Sequence, residues 1–310
     1  DRVVGMHFFN PAPLMRLLEV VAGARSSEVA LALAHTTGEL MGKTVIRASD
    51  GPGFLVNRCN RPFGLEALRL LQEQLADVPT IDQVVRMAGG FRMGPFELMD
   101  LVGVETGFGI SESFYAQSFG EPRWRPSMIA ARQVAAGLYG RKTGEGYYAY
   151  PEGEPYRPED PEPPTEETAE GAIVIAGDTP LARELAEATR AAGFEVRPPH
   201  APLSDVLPSL FVDCDPEPSA PALHAGAGAA RVVLCAAGSL ATVDPEGGAV
   251  GFHALPPLRA ATLVELVRNE NSSPLAAQRA DRFFAALGKH TAWVGDAPGL
   301  VLGRIVCQVI

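Results

Sequence analysis

Lysine is nearly missing from this chain: Lys43, Lys142 and Lys289 are its three among 310 residues. Asp and Glu outnumber Lys and Arg 37 to 26, which sets the net charge at −11 and the pI near 5.1. No basic field exists to hold a nucleic acid or an anionic membrane surface. A phosphate-bearing ligand would need a local basic patch instead. Cysteine is scarce as well. Cys59, Cys214, Cys235 and Cys307 form no CxxC pair and no Cys/His cluster, which excludes a zinc ribbon or a disulfide framework and suits isolated thiols in a reducing compartment. His35, His200, His224 and His290 have no partners at ligand spacing, so no metal is expected. No apolar run reaches the roughly 18 residues of a membrane span, and no signal-peptide pattern opens the chain. The expectation is a cytoplasmic protein with neither a membrane nor a nucleic-acid partner.

What is present is a 46% apolar fraction, enough for real cores, and a long internal repeat. Residues 5–64 return as 251–310 without a gap. Gly5-Met6-His7 recurs as Gly251-Phe252-His253, Glu19 as Glu265, Gly42-Lys43 as Gly288-Lys289, and Pro52-Gly53 as Pro298-Gly299. About one position in four is identical. A spacing this long excludes a solenoid and implies tandem duplication of a domain. The first copy opens inside a strand pattern at Asp1 and the second stops inside a helical pattern at Ile310, so a piece of a longer protein is expected.

Periodicity predicts strands over 3–9 and 16–21 around Asn10-Pro11-Ala12-Pro13, a helix over 27–41 and a strand over 44–48. Helices follow from after Gly53 to about Leu75, over 80–88 with Thr80 as N-cap, over 94–118 and over 127–137. Residues 151–170, rich in Pro and Glu and without periodicity, read as an extended acidic linker. An α/β pattern then begins: strand 172–176, helix 179–192, strand 194–197, and further strands near 209–213, 231–235, 249–253 and 262–267. A helix over 273–287 and a strand over 290–294 precede the end of the replayed segment.

Glu19 sits in Leu17-Leu18-Glu19-Val20-Val21, a run that should be buried, and a buried carboxylate is costly unless paired. His7 lies on the adjacent predicted strand. A carboxylate on one imidazole nitrogen fixes the tautomer and leaves the other nitrogen poised as a general base. Taken alone, the pair reads first as a structural hydrogen bond in a core. Its return as His253 and Glu265 fits both readings, because duplication copies structure too.

Five segments in order carry a resemblance: Gly5–Pro13 (GMHFFNPAP), Leu18–Val21, Pro52–Arg58 (PGFLVNR), Gly94–Gly103 (GPFELMDLVG) and Arg141–Tyr148 (RKTGEGYY). Together they resemble the 3-hydroxyacyl-CoA dehydrogenases, especially the 3-hydroxybutyryl-CoA type. The resemblance implies that His7 is the base for the 3-hydroxyl proton, that Glu19 orients it, that Asn57 holds the substrate near its reacting oxygen, and that Asn10 shapes the same pocket. It implies NAD as cofactor, an acyl-CoA substrate and a homodimer through the helical domain. It further implies an α/β plus all-α fold: 1–50 as the C-terminal edge of a nucleotide-binding domain, 51–150 as the helical domain, 171–296 as a second, Rossmann-like α/β domain, and 297–310 as the start of a second helical domain. The family's glycine-rich fingerprint, ribose-binding acid and catalytic serine have no counterpart in residues 1–150, so the fragment is expected to be inactive alone. Residues 1–48, as sheet edge without a parent sheet, are expected to pair with a second subunit, to pack on 171–296, or to misorder.

In the second unit, Gly177 and Ala182 fit the first and third positions of a G-x-G-x-x-G/A turn, but Thr179 holds the second, where the backbone must approach a diphosphate. Gly177 is therefore a weak cofactor-binding candidate. Gly238 stands where the family has its serine, Pro256 where the first copy has Asn10, and Gly303 where it has Asn57. The second unit is read as a degenerate copy. The alternative for the whole chain is a non-catalytic acyl-CoA-binding or assembly module. Arg141-Lys142-Thr143-Gly144 reads as a loop closing the helical domain or as a binder of a CoA phosphate.

Overall fold

The computed structural model describes residues 1–164, 171–199, 208–215, 230–245 and 247–309. His200, His224, the last part of the acidic segment (165–170) and Ile310 lie outside the described residues.

The opening strand–turn–strand is β1 (Gly5–Phe8) and β2 (Leu17–Ala22), antiparallel, with His7 directly opposite Glu19. β2 pairs in parallel with β3 (Thr44–Ser49). A parallel pair needs a crossover, supplied by α1 (Glu28–Leu40), which Ser27 caps by accepting the Ala30 N–H at 3.3 Å. Leu31 and Ala34 on α1 pack with Val20. The three strands form their own sheet and do not extend the second one, so the expected packing of 1–48 on 171–296 does not occur by strand pairing. The far side of α1 stays open, with Val29, Leu33 and Leu40 all more than two-thirds exposed.

Five helices follow: α2 (Val56–Gln72), α3 (Val78–Met87), α4 (Pro95–Val102), α5 (Val104–Gln117) and α6 (Met128–Ala135). Two boundaries differ from the sequence expectation. Asp77 caps α3 by accepting the Thr80 N–H at 3.0 Å, so the N-cap lies earlier than Thr80. The pattern over 94–118 is two helices broken at Gly103, whose φ of 104° a side chain would not tolerate. Buried Asp82 accepts the Phe96 and Glu97 N–H groups and the Tyr148 hydroxyl, each at 2.9 Å. It thereby satisfies the first donors of α4. Asp100 accepts the Tyr147 and Tyr148 N–H groups at 3.0 and 2.9 Å, which folds the 140–150 loop back onto α4. Lys142 is paired with Glu105, and Arg141 lies over the Tyr150 and Tyr156 rings.

The Pro- and Glu-rich segment is extended as expected, but its described part is docked rather than free. Arg86 reaches both Glu97 and Asp160 at 2.6 Å, Arg157 reaches Glu97 at 2.5 Å, and the Glu162 carbonyl lies 2.7 Å from His290 Nε2.

The second unit is a seven-stranded sheet built from β4 (Ala172–Ala176), β5 (Glu195–Arg197), β6 (Leu210–Asp213), β7 (Ala230–Leu234), β8 (Val250–His253), β9 (Leu263–Val267) and β10 (His290–Val294). Its order is β10-β9-β8-β7-β6-β4-β5, parallel except between β8 and β9. The helices are α7 (Pro180–Ala191), α8 (Leu240–Val243), α9 (Pro274–Ala286) and α10 (Leu300–Val309). Runs such as Ile173–Ile175 and Val232–Leu234 are apolar at successive positions because both sheet faces are covered. Residues 297–309, expected to begin a second helical domain, instead join the first one. α10 packs on α2 and α3, and Leu300, Val301, Leu302 and Ile305 share one core with Leu68, Leu70 and Val84. Arg304 bonds Glu66 at 2.6 Å and also Glu73. The Gly295 and Thr262 N–H groups donate to the Leu75 and Met87 carbonyls at 2.6 and 2.8 Å.

Candidate active site

The β1–β2 register puts His7 and Glu19 on one face, and the side chains meet: His7 Nδ1 lies 2.7 Å from Glu19 Oε2. Glu19 is fully buried. Its other oxygen accepts the N–H groups of Leu55 and Val56, at 3.0 and 2.9 Å. These are unpaired donors at the start of α2, where the helix dipole also favours an anion. The donors are aimed by the turn before the helix, with Gly53 at φ 74° and Phe54 at φ 50°. A Cβ on Gly53 would lie 2.1 Å from the Phe114 ring, so only glycine fits there. Because a carboxylate can only accept, Nδ1 carries the proton and Nε2 is left with a lone pair. Among the described residues Nε2 makes no hydrogen bond, and the His7 side chain is 28% exposed between Phe9 and Phe54. The arrangement can hold a neutral imidazole in one tautomer, take a proton at Nε2, and stabilise the resulting cation.

Asn57 lies in the first turn of α2, half-buried, two positions beyond the N–H of Leu55 that holds Glu19. Asn10 lies exposed in the β1–β2 turn, before a cis Asn10–Pro11 bond. The Leu55 and Val56 donors were not read from the sequence. Their signal was present in a buried acid combined with a Gly-Pro-Gly run opening a helix.

The second copy repeats this construction down to single atoms. His253 Nδ1 lies 3.2 Å from Glu265 Oε2, and Glu265 accepts from the Val301 and Leu302 N–H groups, the counterparts of Val56 and its predecessor. Gly299 and Leu300 repeat the positive φ values, and Pro256–Pro257 repeats the cis bond. Lys43 Nζ donates to the carbonyls of Ala12 and Met15, and Lys289 Nζ donates to those of Leu258 and Ala261. What differs is access. The His253 side chain is 4% exposed, and a Cβ on Gly303 would lie 2.8 Å from its Nε2. The helix backbone therefore closes over the nitrogen that faces open space in the first copy, and no asparagine fits at 303.

A dinucleotide needs a bare helix N-terminus at its diphosphate. The turn at Gly177 does not offer one. The Thr179 hydroxyl already accepts the Ala182 N–H at 3.1 Å, Asp178 pairs with Arg183 across the turn, and a Cβ on Gly177 would crowd Cys214 and Asp215. Asp213 ends the neighbouring strand, its carboxyl held above the usual range by burial. At Gly238 a Cβ would lie 2.8 Å from Val243, so a serine there would crowd α8. These residues do not fit a diphosphate. Among the described residues, no cluster of His, Cys, Asp or Glu could hold a metal ion, and no helix is long and apolar enough to cross a membrane.

Two sequence families match: "3-hydroxyacyl-CoA dehydrogenase, NAD binding domain" over residues 1–51 and "3-hydroxyacyl-CoA dehydrogenase, C-terminal domain" over 53–150. A probable 3-hydroxybutyryl-CoA dehydrogenase of Deinococcus radiodurans is 40% identical over 147 residues, 47% of this chain and 52% of the relative. The 3-hydroxyadipyl-CoA dehydrogenase of Escherichia coli K12 is 44% identical over 149 residues, 48% of this chain and 31% of the relative. The chain thus spans about half or less of these relatives' length. The crystal structure of a 3-hydroxybutyryl-CoA dehydrogenase from Escherichia coli K12 superposes with a TM-score of 0.74 at 23% identity, covering 100% of this chain and 56% of that one. At that identity the likeness speaks to fold, and it extends through both units.

Proposed function

We propose that residues 1–150, which match the two 3-hydroxyacyl-CoA dehydrogenase family domains, one of them NAD-binding, carry the acid–base half of an NAD-dependent site that oxidises the 3-hydroxyl of an acyl-CoA to the 3-oxo group. His7 takes the hydroxyl proton at Nε2. Glu19 fixes the tautomer and stabilises the imidazolium. Asn57 holds the reacting oxygen from the first turn of α2, and Asn10 borders the same cleft. The observation that carries this reading is access: His7, held through Nδ1 by Glu19 at 2.7 Å, is 28% exposed and makes no hydrogen bond at Nε2 among the described residues, whereas His253 in the same setting is 4% exposed. A core histidine would not need its second nitrogen left open. The same reading makes the protein a homodimer, and its isolated free cysteines suit the cytoplasm. The faces of α2 and α3 under α10 are used within the chain, so self-association falls to other helical faces, where Phe119, Leu101 and Met128 are exposed. Since no described residues form a diphosphate cradle, residues 1–310 alone do not turn over, and the second unit is a degenerate copy kept for packing.

The test joins the glycine-rich portion of a 3-hydroxybutyryl-CoA dehydrogenase relative ahead of residue 1 and follows NADH consumption with acetoacetyl-CoA. His7→Gln is expected to lower kcat by about 10²–10⁴, and His253→Gln to leave it unchanged. Equal damage from both changes would make the second unit catalytic and sink the assignment.

A further inference from the structure

Arg61 lies one helical turn beyond Asn57, and residues four apart share a face of a helix. The rise between them is about 6 Å, and helical side chains lean back toward the N-terminus. The Arg61 guanidinium lies over the Phe114 ring, 5.8 Å from its centre. Phe114 is the residue that Gly53 packs against, in the same turn whose Phe54 ring lies 5.3 Å from His7. A chain of packing contacts, His7–Phe54, Gly53–Phe114 and Phe114–Arg61, therefore links the dyad to Arg61.

Arg61 borders a cavity between α2, α4, α5 and α6, lined by Gly64, Leu68, Met99, Val104, Phe108 and Ser111 among others. The cavity is apolar apart from the guanidinium and a few hydroxyls. The cation is poorly satisfied. Its Nε is buried without a hydrogen-bond partner, and Nη1 reaches only the Gly107 carbonyl, at 3.5 Å. Nearby acids are engaged elsewhere: Glu66 with Arg69 and Arg304, and Glu105 with Lys142. Burial pulls the guanidinium below its usual range. A desolvated charge without an acid is costly, and a ligand carboxylate of matching fork geometry would remove that cost.

On the reading of His7 and Asn57 given above, we propose that this cavity receives the distal end of the acyl chain and that Arg61 binds a carboxylate there. The preferred substrate is then the CoA ester of a short dicarboxylic acid, with a few methylenes spanning one helical turn between the carbinol at Asn57 and the acid at Arg61.

Binding needs no turnover, so the test is calorimetric titration of the whole chain with adipyl-CoA and hexanoyl-CoA, equal in carbon number and differing in the terminal acid. The wild-type chain is expected to bind the diacid ester more tightly. Arg61→Met, an apolar side chain that suits the cavity, is expected to remove about 10- to 150-fold of adipyl-CoA affinity, to leave hexanoyl-CoA binding intact and to raise Tm. Arg61→Lys keeps the charge, loses the fork, and falls between. Equal affinity of the wild type for both esters, or equal loss of both in Arg61→Met, overturns the proposal. If in that case hexanoyl-CoA still binds and Asn57→Ala weakens it, the dehydrogenase reading stands while the Arg61 site falls. Binding of neither ester overturns both. A change in oligomeric state with ester preference unchanged assigns Arg61 to a subunit contact and also overturns it.

Discussion

Glu19→Gln tests the dyad through its proton rather than its shape. Glu19 is fully buried and makes three contacts: Oε1 accepts from the Leu55 and Val56 N–H groups, and Oε2 faces His7 Nδ1 at 2.7 Å. A glutamine of the same length keeps its carbonyl oxygen toward the two helix donors, because an amide NH₂ there would oppose two N–H groups. Its NH₂ must then face His7 and donate to Nδ1. The imidazole responds by carrying its proton on Nε2, which converts the proposed base into a donor. The fold survives, since every buried group keeps a partner. The loss is a charge-assisted contact and an anion at a helix start, about 1–3 kcal/mol in all. By contrast, Glu19→Ala leaves two helix N–H groups and the ring nitrogen unpaired, at about 1–3 kcal/mol for each orphan. Nitrogen-15 NMR of the histidine rings at mildly alkaline pH, assigned with His7→Gln, reads the tautomer directly and requires no cofactor. The expected outcome is Nδ1–H in the wild type and Nε2–H in Glu19→Gln. In an enzyme completed by a dinucleotide-binding portion, kcat falls by about 10²–10⁴. The same tautomer in both proteins, or full activity in Glu19→Gln, refutes the reasoning.

Gly303→Asn places a side chain 2.8 Å from His253 Nε2, and overpacking of this kind costs about 1–3 kcal/mol. A lower Tm is expected in thermal melts, and an unchanged Tm means the second site has more room than described here. Burial pushes the Asp82 carboxyl up to about 7 against the pull of the Phe96 N–H, the Tyr148 hydroxyl and the Glu97 N–H. Its unfolded value is about 3.9, so between the two values the folded state binds the extra proton. That contribution to stability is complete below about 4 and is lost as pH rises through about 7. Asp82→Asn is expected to flatten the fall of denaturant-measured stability across this window, whatever its effect on absolute stability. A wild-type profile that rises with pH there contradicts it.

The pairing of His7 with Glu19 was legible because strand alternation and an acid in an apolar run are local signals. The duplication was legible because the repeat keeps residues whose geometry admits few substitutes: Gly53 and Gly299 at positive φ, Lys43 and Lys289 closing the same turn, Ser27 and Ser273 capping the same helix. The break at Gly103 was not legible, since helical periodicity runs through it, and it rests on a φ of 104° and on the Val104 N–H donating to the Tyr139 carbonyl from a distant loop. Nor was the docking of the Pro- and Glu-rich segment, whose composition speaks of solvation while Asp160 answers Arg86, 74 positions away.

Sequence by itself determined the order of elements, the resemblance carried by the first unit and the pairing of His7 with Glu19, because these rest on neighbours in the chain and on residues with few chemical substitutes. Tertiary structure alone decided which of two near-identical dyads stays open. His7 and His253 have matching partners and differ in what surrounds Nε2, open beside Phe9 and Phe54 in one copy and closed by the α10 backbone at Gly303 in the other. It also decided that α10 completes the first helical core and that Arg61 is a cation without an acid. Burial and its cost are properties of the whole packed chain, and no local pattern records them.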